Sequence, residues 1–276
     1  MTVEPVGHFE ALWDLMHPEK VAATPTSYIY KVHYQNHPAI LKIYTDLGRN
    51  CESDAPYFFE PCSGHNVPRI FQFNDDAMLM EYINGPVLKE WIIQRKDEEA
   101  TRIIGKTLSQ LHSVPQKFTY NFETLETRFK ALFAHAKRDV PDILKRAASF
   151  ARTLLKNQKE IKLLHGDMHH DNVMQNNSLW LAIDPQPLIG DRAYDCANTL
   201  HNPHQMPELT EDKERLLKQS QILGDIMMID PQRIIDYAFV HGCLSACWSY
   251  DDDGESFSEN LSLRTSAILE PYVNIR

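Results

Sequence analysis

The hydrophobic period of this chain changes at Asn84-Gly85-Pro86, which excludes both an all-helical and an all-strand architecture. Before that point, Ser27 to Tyr34 alternate as a half-buried strand does. Gln35-Asn36-His37-Pro38 reads as a turn, and Ala39 to Tyr44 as a second strand. Arg69 to Phe73 and Ala77 to Tyr82 read as a hairpin turned by Asn74-Asp75-Asp76. After the break, Ile103, Ile104, Leu108 and Leu111 lie at helical spacing, and so do Leu125, Phe129, Leu132 and Phe133. Leu216, Leu217, Ile222 and Leu223 begin another helix, and residues 232–249 form a last one. The pattern predicts an α+β chain: a β-rich N-terminal lobe over residues 1–83 and a mainly α lobe over 84–276.

Within the second lobe one segment departs from helical spacing. Ile161 to Leu164 is a short apolar run leading into His165-Gly166-Asp167-Met168-His169-His170-Asp171-Asn172. Val173-Met174-Gln175 leads out, Asn176-Asn177-Ser178 is a turn signal, and Leu179 to Ile183 reads as a buried strand ending at Asp184. A β-hairpin with chemical groups at its two mouths is expected. An Asp and an Asn five apart, then a second Asp after an apolar strand, is the H-x-D-x-x-x-x-N arrangement of protein kinases. Phosphoryl transfer to a hydroxyl needs a carboxylate to orient the nucleophile and take its proton, which suits Asp167. It also needs hard oxygen ligands for Mg²⁺, which suits Asn172 and Asp184.

His165 to Val173, together with Trp180 to Asp195, resembles the aminoglycoside phosphotransferase family, in particular its streptomycin kinase and hydroxyurea-resistance kinase branch. The resemblance is dense over residues 161–203 and thinner elsewhere. It implies a protein-kinase-like two-lobe fold and an ATP- and Mg²⁺-dependent kinase. It also implies Asp167 as the base and Asn172 and Asp184 as metal ligands. One departure sits beside the metal Asp. That branch often has Lys two residues on, where this chain has Gln186.

The order of elements assigns further parts. Lys42 is the lysine inside the second strand, and alternation points it away from Leu41 and Ile43, as for a lysine that pairs nucleotide phosphates. Glu52 and Glu60 are its candidate partners. Glu52 is preferred because a helix is expected to start near Asn50, with Pro56 fitting only near a helix start or kink. The phosphate-covering turn, Ala23-Thr24-Pro25-Thr26-Ser27, has no Gly, so backbone N–H groups and hydroxyls such as that of Ser27 would meet the phosphates. Met80, Glu81 and Tyr82 end the last strand where backbone groups would meet an adenine edge. Met residues there also suit plain core packing. His165 and Asp195 read as structural support for the loop, Asp195 by accepting hydrogen bonds from its amides and capping the helix that follows. Asp191 is a second candidate for such a role.

Composition narrows the partners. A chain of 276 residues, 43% hydrophobic and 24% charged, can bury a core. The net charge of −10 argues against nucleic-acid binding. No apolar run of membrane-spanning length occurs, and Glu4, His8 and Glu10 stand where a signal peptide needs a basic and then an apolar stretch. Five Cys without a C-x-x-C pair read as reduced thiols, so a cytoplasmic setting is expected, and no protein partner is implied. His165, His169 and His170 lack zinc-ligand spacing.

The acceptor is the least legible part. Trp248, Tyr250, Asp251, Asp252, Asp253 and Glu255 form an acidic–aromatic run that suits either a cationic small molecule, with Trp248, Asp251 and Asp253 as contacts, or an ordinary solvated loop. The acceptor stays open between an aminoglycoside such as streptomycin and a housekeeping metabolite: a sugar, an amino alcohol or a modified amine. A non-catalytic nucleotide-binding module is the alternative from another class. Retention of Lys42, Asp167, Asn172 and Asp184 argues against it. A protein kinase is disfavoured because no D-F-G or A-P-E segment follows Asp184.

Overall fold

The computed structural model describes residues 6–63, 66–114 and 120–274, so Glu4 lies outside the described residues. Contacts divide the chain into two compact units, Met1–Pro86 with Met174–Gln186, and Val87–Val173 with Pro187–Arg276. The first unit therefore takes in residues 174–186 from the middle of the C-terminal part of the chain.

The first unit is built on a five-stranded antiparallel sheet of order β1-β2-β3-β5-β4. The strands are β1 (Leu15–Ala23), β2 (Ser27–Tyr34), β3 (His37–Tyr44), β4 (Ile70–Phe73) and β5 (Ala77–Glu81). Gln35 and Asn36 both take positive φ (50° and 64°), so β2 and β3 join through a two-residue turn matched to strand twist. Pairing then starts at once with Tyr34 opposite His37, two residues earlier than the sequence suggests. Pro38 is tolerated because β5 reaches only as far as Ala39. Asn74 Oδ1 accepts from the N–H groups of Asp76 and Ala77 at 2.9 Å each and closes the β4–β5 turn.

Two elements of this unit left little trace in the sequence. β1 is an edge strand, exposed from Met16 to Val21, interrupted by Pro18 and bulged twice, so it shows no alternation. The Val6–Trp13 helix contributes Val6 and Phe9 to the core that Tyr30, Val32, Ala39, Leu41, Ile43 and Leu79 also build. Because Leu41 and Ile43 enter that core, Lys42 is left on the opposite face of β3.

Two strands, β6 (Glu123–Thr124) and β7 (Ile161–Leu164), precede the 165–172 loop in the second unit. β8 (Val173–Asn176) and β9 (Leu179–Ala182) form the two-stranded hairpin after it, and β10 (Leu188–Asp191) follows. β10 lies between β6 and β7, parallel to the first and antiparallel to the second. The run into the loop thus pairs with β10 and not with the hairpin that leaves it.

The second unit is otherwise helical. The Pro231–Asp253 helix is buried nearly all round and is packed by Asp142–Lys156, Lys213–Met227 and Leu261–Leu269. Asp142–Lys156 escaped the sequence reading because its buried face is largely alanine: Ala147, Ala148 and Ala151 beside Leu144 and Leu154. The single helix expected around Leu125 and Phe133 is instead two, Leu125–Arg128 and Lys130–His135, which meet at the fully buried Phe129. Among the described residues no helix is long and apolar enough to cross a membrane.

The connector into the second unit is pinned at Gly85. A Cβ there would lie 1.9 Å from the carbonyl oxygen of Gln175, whose own N–H donates to Pro86 O at 3.0 Å. Gly85→Ala should therefore cost about 1–3 kcal/mol by overpacking, read as a lowered urea midpoint. An unchanged midpoint would show that this approach does not constrain the connector.

Candidate active site

In the first unit a buried cation is held between two carboxylates. Lys42 Nζ lies 2.8 Å from Glu52 Oε2 and 2.9 Å from Asp184 Oδ1. Burial alone would lower the Lys42 pKa, but Asp184 and then Glu52 outweigh it, so the ammonium pKa is raised and the charge is kept. Glu52 is the partner the sequence preferred over Glu60, which is exposed. The local geometry differs from the expectation. The helix runs Asp46–Cys51 with Thr45 as its N-cap, so Glu52 is the residue that ends it. Asp184 takes a left-handed backbone (φ 51°), uncommon outside glycine, which Asp tolerates better than most residues.

The turn between β1 and β2 is anchored to the start of that helix. Thr45 donates from its hydroxyl to Pro25 O at 2.7 Å and from its N–H to Thr26 O at 2.9 Å. Ser27 is buried, and its hydroxyl sits 3.2 Å from Thr24 Oγ1 within the turn. Of the hydroxyl residues in this glycine-free turn, Thr24 is exposed, Thr26 half-buried and Ser27 buried. At the far end of the sheet, Glu81 accepts from Arg69 N (3.2 Å) and Asn176 Nδ2 (2.9 Å), and Tyr82 donates to Asn84. Met78 is buried core, whereas Met80, Glu81 and Tyr82 are half-buried.

In the second unit the 165–172 loop is held from several sides. Asp195, fully buried, accepts from the N–H groups of His165 (2.9 Å) and Gly166 (2.7 Å) and lies 2.9 Å from His112 Nε2. Gly166 has φ 78°, which glycine takes without strain. Burial pushes the Asp195 pKa up, but the hydrogen bond and charge of His112, with the Gly166 amide, bring it below the ordinary carboxylate range. His165 is itself buried, and its Nδ1 accepts from Asp167 N at 3.3 Å. Thr199 donates to Met168 O at 3.1 Å. Asp191 works elsewhere: it caps the 3₁₀ turn Arg192–Cys196, accepts from Lys159 N and pairs with Arg233.

Asp195→Ala should cost about 3–5 kcal/mol, since it removes one partner of a buried pair and strands two amides. Chemical denaturation checks it, and a loss below 1 kcal/mol would mean that the loop does not depend on this carboxylate.

The loop presents Asp167. Asn172 donates from Nδ2 to Asp167 Oδ2 (3.0 Å) and to its carbonyl oxygen (2.9 Å). Asn198 donates to Asp167 Oδ1 at 2.7 Å. The carboxylate is 28% exposed, so it is aligned on both oxygens yet reachable. Asn172 in the second unit and Asp184 in the first each carry an oxygen of the kind a divalent cation takes. Asn172 spends its amide nitrogen on Asp167 and can offer Oδ1, and Asp184 is 45% exposed. Among the described residues no three His, Cys, Asp or Glu side chains form a metal cage. Carboxylate and amide oxygens are each ligand types that Mg²⁺ accepts, and Mg²⁺ usually takes few protein ligands.

The acidic–aromatic run proves not to be a loop. Trp248 to Asp253 are the last turns of the Pro231–Asp253 helix, which stops at Gly254 in the left-handed region. Helical spacing already continued through this stretch, but the three consecutive acids obscured it. Asp251 lies 2.9 Å from His135 Nε2 and is committed to it. Asp253 is exposed at the helix end, and half-buried Trp248 has the Arg128 guanidinium 5.9 Å from its ring centroid. Asn198, Thr199 and His112 were missed by sequence reasoning. The signal for the first two was a polar pair inside the apolar stretch Ala197-Asn198-Thr199-Leu200.

A β-sheet unit with a carboxylate-paired strand lysine, and a helical unit with an Asp–Asn loop, define a phosphotransferase of the protein-kinase-like class. Solved structures share this fold. Choline kinase LicA from Streptococcus pneumoniae aligns with TM-score 0.67 at 16% identity, covering 96% of each chain. A thermostable mutant of aminoglycoside phosphotransferase APH(4)-Ia, in ternary complex with AMP-PNP and hygromycin B, aligns with TM-score 0.69 at 14% identity, over 97% of this chain and 98% of that one. The chain belongs to the aminoglycoside/hydroxyurea antibiotic resistance kinase family, whose profile matches residues 12–254. It is 31% identical over 250 residues to streptomycin 3''-kinase of Klebsiella pneumoniae, covering 87% of this chain and 90% of that one. With streptomycin 6-kinase of Streptomyces griseus it shares 23% over 219 residues, 75% and 70% of the two chains. It is a small-molecule kinase with a hydroxyl acceptor.

Proposed function

We propose that this kinase transfers the γ-phosphoryl group of ATP, with Mg²⁺, to a hydroxyl of an aminoglycoside of the streptomycin type. The observation that carries this reading is the Asp167 carboxylate, aligned by Asn172 and Asn198 and still 28% exposed. In that role Asp167 orients the acceptor hydroxyl and takes its proton as the new O–P bond forms and the bond from γ-phosphorus to the β–γ bridging oxygen breaks, releasing ADP. Lys42, fixed by Glu52, holds the nucleotide phosphates, and the turn of Thr24 to Ser27 covers them. Backbone groups of Met80, Glu81 and Tyr82 take the adenine edge. Asn172 and Asp184 are the residues that would hold Mg²⁺, which would neutralise charge on the phosphates. On the acceptor side Trp248 and Asp253 remain the candidates, while Asp251 is committed to His135.

The similarity to streptomycin 3''-kinase, spread over nine-tenths of its length, supports streptomycin as the first acceptor to try. The test is ADP release with streptomycin, hygromycin B, choline, ethanolamine and simple sugars, followed by phosphorus NMR of any product to locate the modified hydroxyl. Turnover of choline or a sugar with none of the aminoglycosides would replace this reading with a housekeeping kinase. ATP binding without turnover of any acceptor would favour a non-catalytic module.

A further inference from the structure

Behind Asp167 stands a chain of hydrogen bonds, all within the second unit. Asn198 Nδ2 is 2.7 Å from Asp167 Oδ1, His241 Nε2 is 3.2 Å from Asn198 Oδ1, and Tyr194 Oη is 3.1 Å from His241 Nδ1. The direction of each link follows from the one before it. An ionised carboxylate only accepts, so Asn198 must turn its NH₂ to Asp167 and its oxygen to His241. That oxygen only accepts, so His241 must carry its proton on Nε2. Burial, then the nearby His201 and Arg128, hold the His241 pKa well below its ordinary value, so the ring is neutral and Nδ1 is an acceptor. Tyr194 must then donate. Three dipoles line up with their positive ends toward Asp167.

The packing around this chain leaves it little freedom. Tyr194 and His241 are buried, and the Tyr194 ring is wedged edge-on against Phe129 and Tyr237. A second donor, Asn202 Nδ2, reaches Asn198 Oδ1 at 3.0 Å and fixes the same amide orientation. Gly242, next to His241, lets the helix close on its neighbours. A Cβ there would lie 2.2 Å from His201 Cε1 and 2.3 Å from Ser266 Oγ. Nothing in the chemistry of phosphoryl transfer requires a residue at this depth. Its geometry has a different consequence: it sets the angle at which the Asp167 carboxylate is presented.

We propose that Asn198 is a positioning residue for transfer, locked by His241 and Tyr194, and that it fixes the orientation of the Asp167 carboxylate toward the acceptor hydroxyl. The proposal rests on the reading of Asp167 as the base. Losing the Oδ1 contact leaves the carboxylate free to swing about the bond to Asn172, and a misplacement of about 1 Å can cost on the order of 10² in rate.

The test compares Asn198→Ala, His241→Leu, His241→Gln and Asp167→Ala in steady-state ADP release, with ATP-induced thermal shift as the check on folding and nucleotide binding. Asn198→Ala should lower kcat by about 10²-fold while KM for ATP stays within twofold. His241→Leu should lower kcat less, and His241→Gln, whose amide can both donate to Asn198 and accept from Tyr194, should return most of that loss. A merely structural role predicts a lower Tm with kcat per folded molecule unchanged. If Asp167→Ala is inactive while Asn198→Ala keeps wild-type kcat, the positioning proposal is overturned and the base assignment stands. Equal kcat in His241→Gln and His241→Leu would overturn the role of the chain beyond Asn198. If Asp167→Ala itself turns over normally, the base assignment fails first.

Discussion

Asp167→Ala is expected to lower phosphoryl transfer by about 10²–10⁴-fold while ATP binding stays close to wild type. The separation follows from where the groups sit. The cation and carboxylates proposed to hold nucleotide, Lys42, Glu52 and Asp184, belong to the first unit, and Asp167 belongs to the second. Its partners are Asn172 and Asn198, and with Ala both lose an acceptor. Some stability should go as well, about 1–3 kcal/mol, chiefly from Asn198, since Asn172 still donates to the carbonyl oxygen of residue 167. Asp167→Asn is the sharper companion. Its single side-chain carbonyl oxygen can satisfy only one of two donors, so it keeps the volume of Asp167 and loses both the charge and the alignment. Single-turnover ADP formation in a protein that still gives an ATP-induced thermal shift is the measurement. Near-wild-type turnover in either variant would remove Asp167 from the mechanism.

Asp184→Asn is expected to act on the other half of the chemistry. The substitution removes a charge both from the proposed Mg²⁺ ligand and from the partner of Lys42 Nζ at 2.9 Å. The Mg²⁺ concentration needed for half-maximal ATP binding should rise at least about 10-fold, since even residues that only support a metal ligand commonly cost that much. Loss of charge stabilisation on the transferred group should lower kcat on the order of 10²–10³-fold. Lys42 keeps Glu52 at 2.8 Å, so the buried ammonium is not stranded and the fold should survive. Titrating Mg²⁺ against ATP affinity separates this from general damage: weaker ATP binding at every Mg²⁺ concentration, with an unchanged midpoint for the metal, would show that Asp184 serves Lys42 alone.

Both predictions rest on residues that the sequence already singled out, and the reason is local. In β2 and β3 the side-chain period of two is set by the backbone, so alternation placed Lys42 opposite Leu41 and Ile43 before any packing was known. Asp167 and Asn172 are five residues apart in one loop, and the Asn172 amide closes on Asp167 with no distant element involved. The turns at Gln35-Asn36 and Asn74-Asp75-Asp76 are equally local, written in residues that tolerate positive φ or bond to their own backbone.

What the tertiary structure alone decided lies at long sequence separation or in residues whose local signal is neutral. Between Glu52 and Glu60 the sequence offered only a local preference for Glu52, and packing brought that residue to Lys42 and left the other exposed. The Trp248–Asp253 run looked like a loop because charge dominates its composition, yet the helix carries through it and His135, from another helix, takes up Asp251. The edge strand β1 and the alanine-faced Asp142–Lys156 helix lack the large apolar residues that periodicity depends on. Asn198 lies 31 residues from Asp167, and His241 a further 43 from Asn198. Such meetings follow from which faces bury together. The sequence alone therefore singled out the groups proposed to carry the chemistry, and the packed structure decided what holds each of them in place.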